Sequence, residues 1–196
     1  MAAVSVSPGT QKRKRKAASM RRLILPLAGV VVAGAMSLLP AAPALATGTA
    51  PDAVYSFVLA PPNTVVSPSG GTMAAPGDSI RVKGSGTFDP AARIVVAKGS
   101  FVHYSSTGAV VCKGTWKATG FTSFTSFGGN TRGDDGGVLS IVVTHYCKTM
   151  GMTMTGIPMT VTSTVDAPAG SAYVEGTTVG DFTQPTGGAV EIELRR

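Results

Sequence analysis

The chain holds two imidazoles, His103 and His145, and two thiols, Cys112 and Cys147, and any chemistry by side chains has to start from these four. Imidazole titrates near neutral pH and serves as acid, base or ligand. Both histidines sit in runs whose apolar residues alternate, Phe101 with His103, and Leu139, Ile141 and Val143 with His145, so both are expected to point inward. Two inward histidines would make an acid–base or substrate-orienting couple. The plainer alternative is that each is a partly buried histidine bonded to its strand neighbours. Phe101, Trp116 and Leu139 share those inward faces, and with the histidines they form the expected lining of a site for a small hydrophobic molecule.

The cysteines lie 35 positions apart with no C-x-x-C pair, which favours a disulfide between inward faces. Closing a loop of that length contributes about 3–4 kcal/mol on the chain-entropy account. A catalytic thiol or thiolate metal site is the competing reading. The run from His145 to Met154 contains Met150, Met152 and Met154 at period 2. Thioethers with an imidazole suit Cu(I), and equally three methionines on one strand face fill a core or its rim. Gly128 to Gly137 is a glycine-rich loop with Asn130, Asp134 and Asp135, but it lacks the acidic spacing of a calcium loop and reads as a solvated hairpin turn. Its Arg132-Gly133-Asp134 triplet has no supporting context. There is no G-x-S-x-G, no H-E-x-x-H and no phosphate-binding loop, so no cofactor and no metal is expected.

The elements that must carry these residues read as strands throughout. Tyr55, Phe57 and Leu59 alternate in the first; Ile80 and Val82 in the second; a third spans Arg93 to Tyr104. Ser105 to Gly108 forms a turn, and Ala109 to Thr119 returns with Val110, Cys112, Trp116 and Ala118 inward. A four-residue turn would set Phe101 opposite Cys112 and His103 opposite Val110. Phe121, Phe124 and Phe127 are spaced by three, which fits a bulged strand or a stacking platform for sugar or lipid. Val138 to Cys147 alternates again. Beyond Gly156 and Pro158 the phase changes, with Ile157, Met159, Val161 and Val165 inward, and Tyr173 to Phe182 and Ala189 to Leu194 supply two last strands. The expected fold is all-β, a single antiparallel barrel of about eight strands, with a β-sandwich as the alternative.

Charge tells where the chain goes. The formal charge is +7 and the pI about 9.7, yet seven of seventeen basic residues lie in the first 22 positions and all ten acids lie after position 50. The basic segment, the uncharged run Leu23 to Leu39 and the triplet Ala44-Leu45-Ala46 have the layout of a secretory signal peptide, residues 1–46. Arg21-Arg22 also permits the twin-arginine route, and an uncleaved anchor is the competing reading. Cleavage leaves a secreted β-barrel domain, residues 47–196, with basic and acidic residues in balance. That balance speaks against nucleic acid as a partner, and removal of the leader leaves no membrane anchor. Oligomeric state is not readable.

Gly77-Asp78-Ser79-Ile80, Gly84-Ser85-Gly86-Thr87-Phe88, Gly99-Ser100-Phe101-Val102-His103 and Gly114-Thr115-Trp116-Lys117-Ala118-Thr119 carry a resemblance. Over roughly residues 54–194 the chain resembles the allene oxide cyclase barrel-like family. The resemblance implies an eight-stranded antiparallel barrel with a mostly apolar lumen, used by some relatives to steer cyclisation of a small molecule. No catalytic residue carries over onto a matching position. Two functions are therefore expected: a secreted barrel that binds a small apolar ligand or acts structurally outside the cell, or an allene oxide cyclase-like cyclase or isomerase using His103 and His145.

Overall fold

A computed structural model describes residues 53–195 of the chain. The expected leader, residues 1–46, and its expected cleavage site lie outside the described residues. Eight strands follow one another: β1 (Val54–Val66), β2 (Ser79–Asp89), β3 (Ile94–Tyr104), β4 (Val110–Gly129), β5 (Asp135–Cys147), β6 (Met152–Ser163), β7 (Gly176–Val179) and β8 (Gln184–Arg195). They form one antiparallel sheet in the order β7-β6-β5-β4-β3-β2-β1-β8, rather than the two sheets of a sandwich.

Connectivity dictates the shape of this sheet. Laid flat, seven inter-strand spacings would put β7 and β8 about 34 Å apart. Val179 and Gln184 are joined by only five peptide units, which reach about 18 Å at most. The sheet is therefore curled until its edges approach. Thr183 N–H, in that short connection, already donates to Val66 O at the end of β1 (3.1 Å). Two carboxylates fasten the edges further along. Glu175 accepts from Thr164 N–H and hydroxyl through Oε2 and from Val190 N–H through Oε1, each at 2.8 Å, and Asp135 accepts from Leu194 N–H at 3.0 Å.

The alternation read from sequence holds on the inner face. Tyr55, Phe57, Leu59, Ile80, Val82, Phe101, Trp116, Leu139, Ile141, Val143, Ile157, Met159, Val161, Val190 and Ile192 are all buried in one core. Pro61 and Pro62, which lack N–H donors, fall where the β1 ladder slips between Leu59 and Asn63. Four details differ from expectation. The β3–β4 turn closes through Gly108, at φ +84°, with Ser105 N–H bonded to Ala109 O, and Val111 is an extra residue in the ladder. His103 therefore stands opposite Cys112 and Phe101 opposite Gly114, two residues from the expected register. An even displacement leaves every side chain on its face, whereas an odd one would have turned the core outward. Val110, expected inward, lies before the bulge and is exposed. Met150 sits in the turn before β6, and of the stretch from Tyr173 to Phe182 only Gly176–Val179 is strand.

Register shifts after Ala118, Phe121 and Ser126 explain the aromatic spacing of three. Each bulge adds a residue, so Phe121 and Phe124 both reach the core, and Phe124 meets Phe88 at 4.8 Å and Tyr55 at 4.9 Å. The Cys112–Cys147 disulfide joins neighbouring strands β4 and β5, with Cα atoms 5.8 Å apart.

Glycines make the space for the largest inner side chain. Gly84, Gly99 and Trp116 are successive cross-strand neighbours, and a Cβ on Gly99 would run into Lys83 O and the indole. Trp116 Nε1 donates to Lys83 O at 3.1 Å, which holds the ring in that slot. Gly99→Ala should lower stability by at least about 1–3 kcal/mol, because the obstruction is partly backbone and cannot yield. Gly120→Ala, where a Cβ would meet Val142 at an ordinary 3.7 Å, should be neutral or slightly stabilising. Paired urea melts check both, and equal midpoints would show that the slot is not tight.

Candidate functional site

The five residues expected to line a ligand site are all buried: Phe101 3% exposed, His103 8%, Trp116 2%, Leu139 0% and His145 1%. They do not form one group. Cross-strand pairing puts Gly84, Gly99, Trp116, His145 and Met154 in one row across β2 to β6, with Phe101, Gly114, Cys147 and Met152 in the next. Phe101 leans over the bare face of Gly114 and stacks on His145, centroids 4.5 Å apart at 23°. Trp116, Phe101 and His145 are thus in one packed cluster. Leu139 pairs with Phe124 and Val161, six residues along β5 from His145 and about 20 Å away.

His103 belongs to a different arrangement. Its Nε2 lies 2.9 Å from Asp78 Oδ2, and its ring meets Phe182 edge-on at 5.1 Å. Asp78, 5% exposed, also accepts from Ala75 N–H and Ser106 N–H. Burial works against its charge, but the bonds from His103, Ala75 and Ser106, with the charge attraction of the His103 ring, hold its carboxyl below the usual range. One carboxylate thereby ties the β1–β2 connection, β3 and the β3–β4 turn together. Its role was not legible in sequence beyond a Gly-Asp-Ser turn, since none of its partners is a near neighbour except Ala75.

His145 is the opposite case. Neither ring nitrogen has a hydrogen-bond partner among the described residues. Burial pushes its pKa down from 6.5 to about 4, so at neutral pH it carries one N–H and one free lone pair and no charge. A buried imidazole with both nitrogens unsatisfied costs stability, and such groups mark places where a protein accepts a loss for some other reason.

Met154, the cross-strand partner of His145, opens onto a cleft of about 570 Å³. Met73, Met152, Ile157, Pro158, Gly180 and Asp181 also line it. Met73 comes from the β1–β2 connection, held by its N–H bond to Asp181 Oδ2. The period-2 methionine run put Met152 and Met154 on one strand face as packing or soft ligands, not as a cleft, and Met73 and Asp181 reach the cleft only through the folding of two distant connections. In the loop of residues 130–134, Asn130 and Asp134 bond to each other and to the loop's own backbone. Comparison of the chain with protein-family models, with curated proteins and with solved structures gives no match.

The two acid-linked groups act in separate pH ranges. The lowered pKa of His145 means that the unfolded chain binds the extra proton first, so stability is full above pH 6.5 and is lost as pH falls toward 4. Asp78, lowered from 3.8, contributes stability that is lost only below that value. Between pH 7 and pH 4.5 the His145 contribution should shrink by about 2–3 kcal/mol. Urea unfolding at the two pH values should show this difference in the wild type and its disappearance in His145→Phe; the same slope in both would assign the acid sensitivity to other groups.

Proposed function

We propose that this protein is an exported, disulfide-bonded β-barrel that binds a small apolar molecule at one mouth, without turning it over. The observation that carries the reading is the cleft lined by Met73, Met152, Met154, Ile157 and Pro158. Its volume lies in the range of small-molecule sites, and thioether side chains adapt to an apolar guest without a fixed geometry. Behind it His145 offers one polar handle. The middle of the barrel is a poorer place for a ligand, because Phe101, Trp116 and Leu139 are packed against other side chains. Closure into a barrel is supported by the short link from β7 to β8 and by the carboxylates at the seam. Export is supported by the leader-like sequence and by the disulfide; among the described residues no helix is long and apolar enough to cross a membrane.

A second reading, a cyclase or isomerase of the allene oxide cyclase-like kind, is favoured by one feature. His145 is a neutral base with neither nitrogen committed, next to a residue of the cleft. On this reading the site deprotonates or orients a substrate rather than merely holding it.

Binding is tested with the fluorescent apolar probe N-phenyl-1-naphthylamine. Its emission should rise with a micromolar midpoint, and Met152→Asp with Met154→Asp should weaken binding at least about tenfold by placing charge in an apolar contact. His145→Phe should leave this probe's affinity unchanged and weaken only ligands that carry a hydrogen-bonding group. No binding by any member of a lipid-like and polyketide-like panel would remove both readings and leave a structural role.

Export has its own check. Intact mass of material recovered outside the cytoplasm should correspond to a chain beginning at Thr47 and two hydrogens light for the disulfide. A mass that includes Met1 to Ala46, found in the membrane fraction, would instead establish an anchor.

A further inference from the structure

Among the described residues basic and acidic side chains balance in number, but their distribution is strongly uneven. Nine basic residues lie among the described ones, and six of them, Arg81, Lys83, Lys98, Lys113, Lys117 and Lys148, share one outer face. Arg81 and Lys83 are on β2, Lys98 on β3, and Lys113 and Lys117 on β4. All five are exposed beside buried neighbours such as Ile80, Val82, Ala97, Cys112 and Trp116. Lys148 follows β5 and donates its backbone N–H to Lys113 O at 2.9 Å, which adds it to the same face.

Register makes the crowding explicit. Lys98 stands directly opposite Lys117, and Val102 alone separates Arg81 from Lys113 across the strands. Like charges in opposed positions destabilise a sheet, and among the described residues the one salt bridge is His103–Asp78, so no carboxylate offsets them. Acidic groups lie elsewhere: Glu191 and Glu193 on β8, Glu175 and Asp181 flanking β7, Asp134 and Asp135 at the start of β5, and Asp166 after β6. Of the two acids near β2, Asp78 is buried against His103 and Asp89 lies at the far end, accepting from Ala92 N–H. Gathering six of the nine described cations on one face raises the local potential there and favours an anionic partner.

We propose that the outer face of β2 to β4 is a docking surface for an anionic polysaccharide. Hydroxyls stand beside the cations across the strands: Ser85 lies opposite Lys98, Ser100 opposite Lys83 and Thr144 opposite Lys117. A polymer that bears both acidic groups and sugar hydroxyls matches that mixture. A shallow cleft of about 490 Å³, lined by Ser85, Lys98, Gly99, Thr115, Trp116 and Lys117, places two ammonium groups and two hydroxyls around one acidic group of the chain. Nucleic acid fits less well, because single strands stack successive bases on several rings, whereas this face offers Tyr104, which already carries the Arg81 guanidinium at 5.3 Å, and one exposed ring, Tyr146 opposite Thr115. A bilayer fits less well too, because the exposed apolar residues beside this face form no continuous patch: Val58 stands between Ser85 and Glu191, Val96 opposite Thr87 and Ile94 opposite Asp89.

The test is titration of fluorescein-labelled dextran sulfate at several salt concentrations, with unsulfated dextran, an oligothymidylate and phosphatidylglycerol vesicles as parallel probes. The N-terminus of each preparation is determined by intact mass and must be the same in all variants, so a retained basic leader contributes equally to each. The expected result is binding to dextran sulfate that weakens with salt, no binding to dextran, and weaker binding to oligonucleotide and vesicles. Lys98→Gln with Lys117→Gln should lower affinity about tenfold and flatten the salt dependence, by removing two of the charges that displace counterions. Arg132→Gln with Arg195→Gln removes the same charge away from the face and should change affinity little. Equal losses from the two double variants, or no binding at low salt, would overturn the proposal. Preferential binding to the oligonucleotide or the vesicles would overturn it in favour of that partner. Unchanged melting midpoints of the variants keep the comparison free of folding defects.

Discussion

Joining β7 to β8 by five peptide units while β8 pairs with β1 is the constraint from which the remaining features follow. A flat sheet cannot satisfy it, so the two edges must meet. Edges carry unpaired N–H and C=O groups, which are a hazard in water and a cost when buried. Glu175 answers both problems at once, since one oxygen takes donors from the end of β6 and the other takes the Val190 donor of β8. Asp135 does the same for Leu194 where β6 has ended. Side-chain carboxylates thus stand in for a ladder that β7, only four residues long, is too short to provide.

Once the sheet curls, inside and outside become chemically separate. The inner face is filled by pairing large side chains with glycines: Trp116 against Gly84 and Gly99, Phe101 against Gly114. That economy of space explains why residues that look like a ligand lining are instead packed against one another. His145 is carried into this interior by the period of β5, with no partner for either nitrogen, and the price is a neutral imidazole and sensitivity to acid. His103, on β3 and two inner positions beyond the row of His145, escapes that cost because Asp78 reaches it from just before β2. Two histidines of the same predicted orientation therefore have unlike chemistry.

Curling also sorts charge. From Val138 on, residues at even steps on β5, like those at odd steps on β2, point outward, but their neighbours across the sheet differ. Cations collect over β2 to β4 and acids around the seam and β8, so the described residues carry a dipole that their equal numbers of the two charges conceal. The cleft at Met73, Met152 and Met154 lies along the start of β6 and shares no lining residue with the cleft on the cationic face. A ligand in the cleft and a polymer on the outer face would not compete for the same residues.

Strand count, inward faces, the disulfide partners and the bulged aromatic run were legible in sequence, because each depends on period-2 alternation and on composition, which are local properties. Face assignment even survived a two-residue error in the β3–β4 register, since an even slip keeps parity. What the residues by themselves could not determine is which distant groups meet. Asp78 finds His103, Ala75 and Ser106, while Met73 joins Met152 and Glu175 joins Thr164 to Val190. These meetings depend on where irregular connections fold back onto the sheet, and such segments have no period to read. The contrast between His103 and His145 has the same origin: alternation decided that both point inward, and only the three-dimensional placement of one carboxylate decided which of them is satisfied.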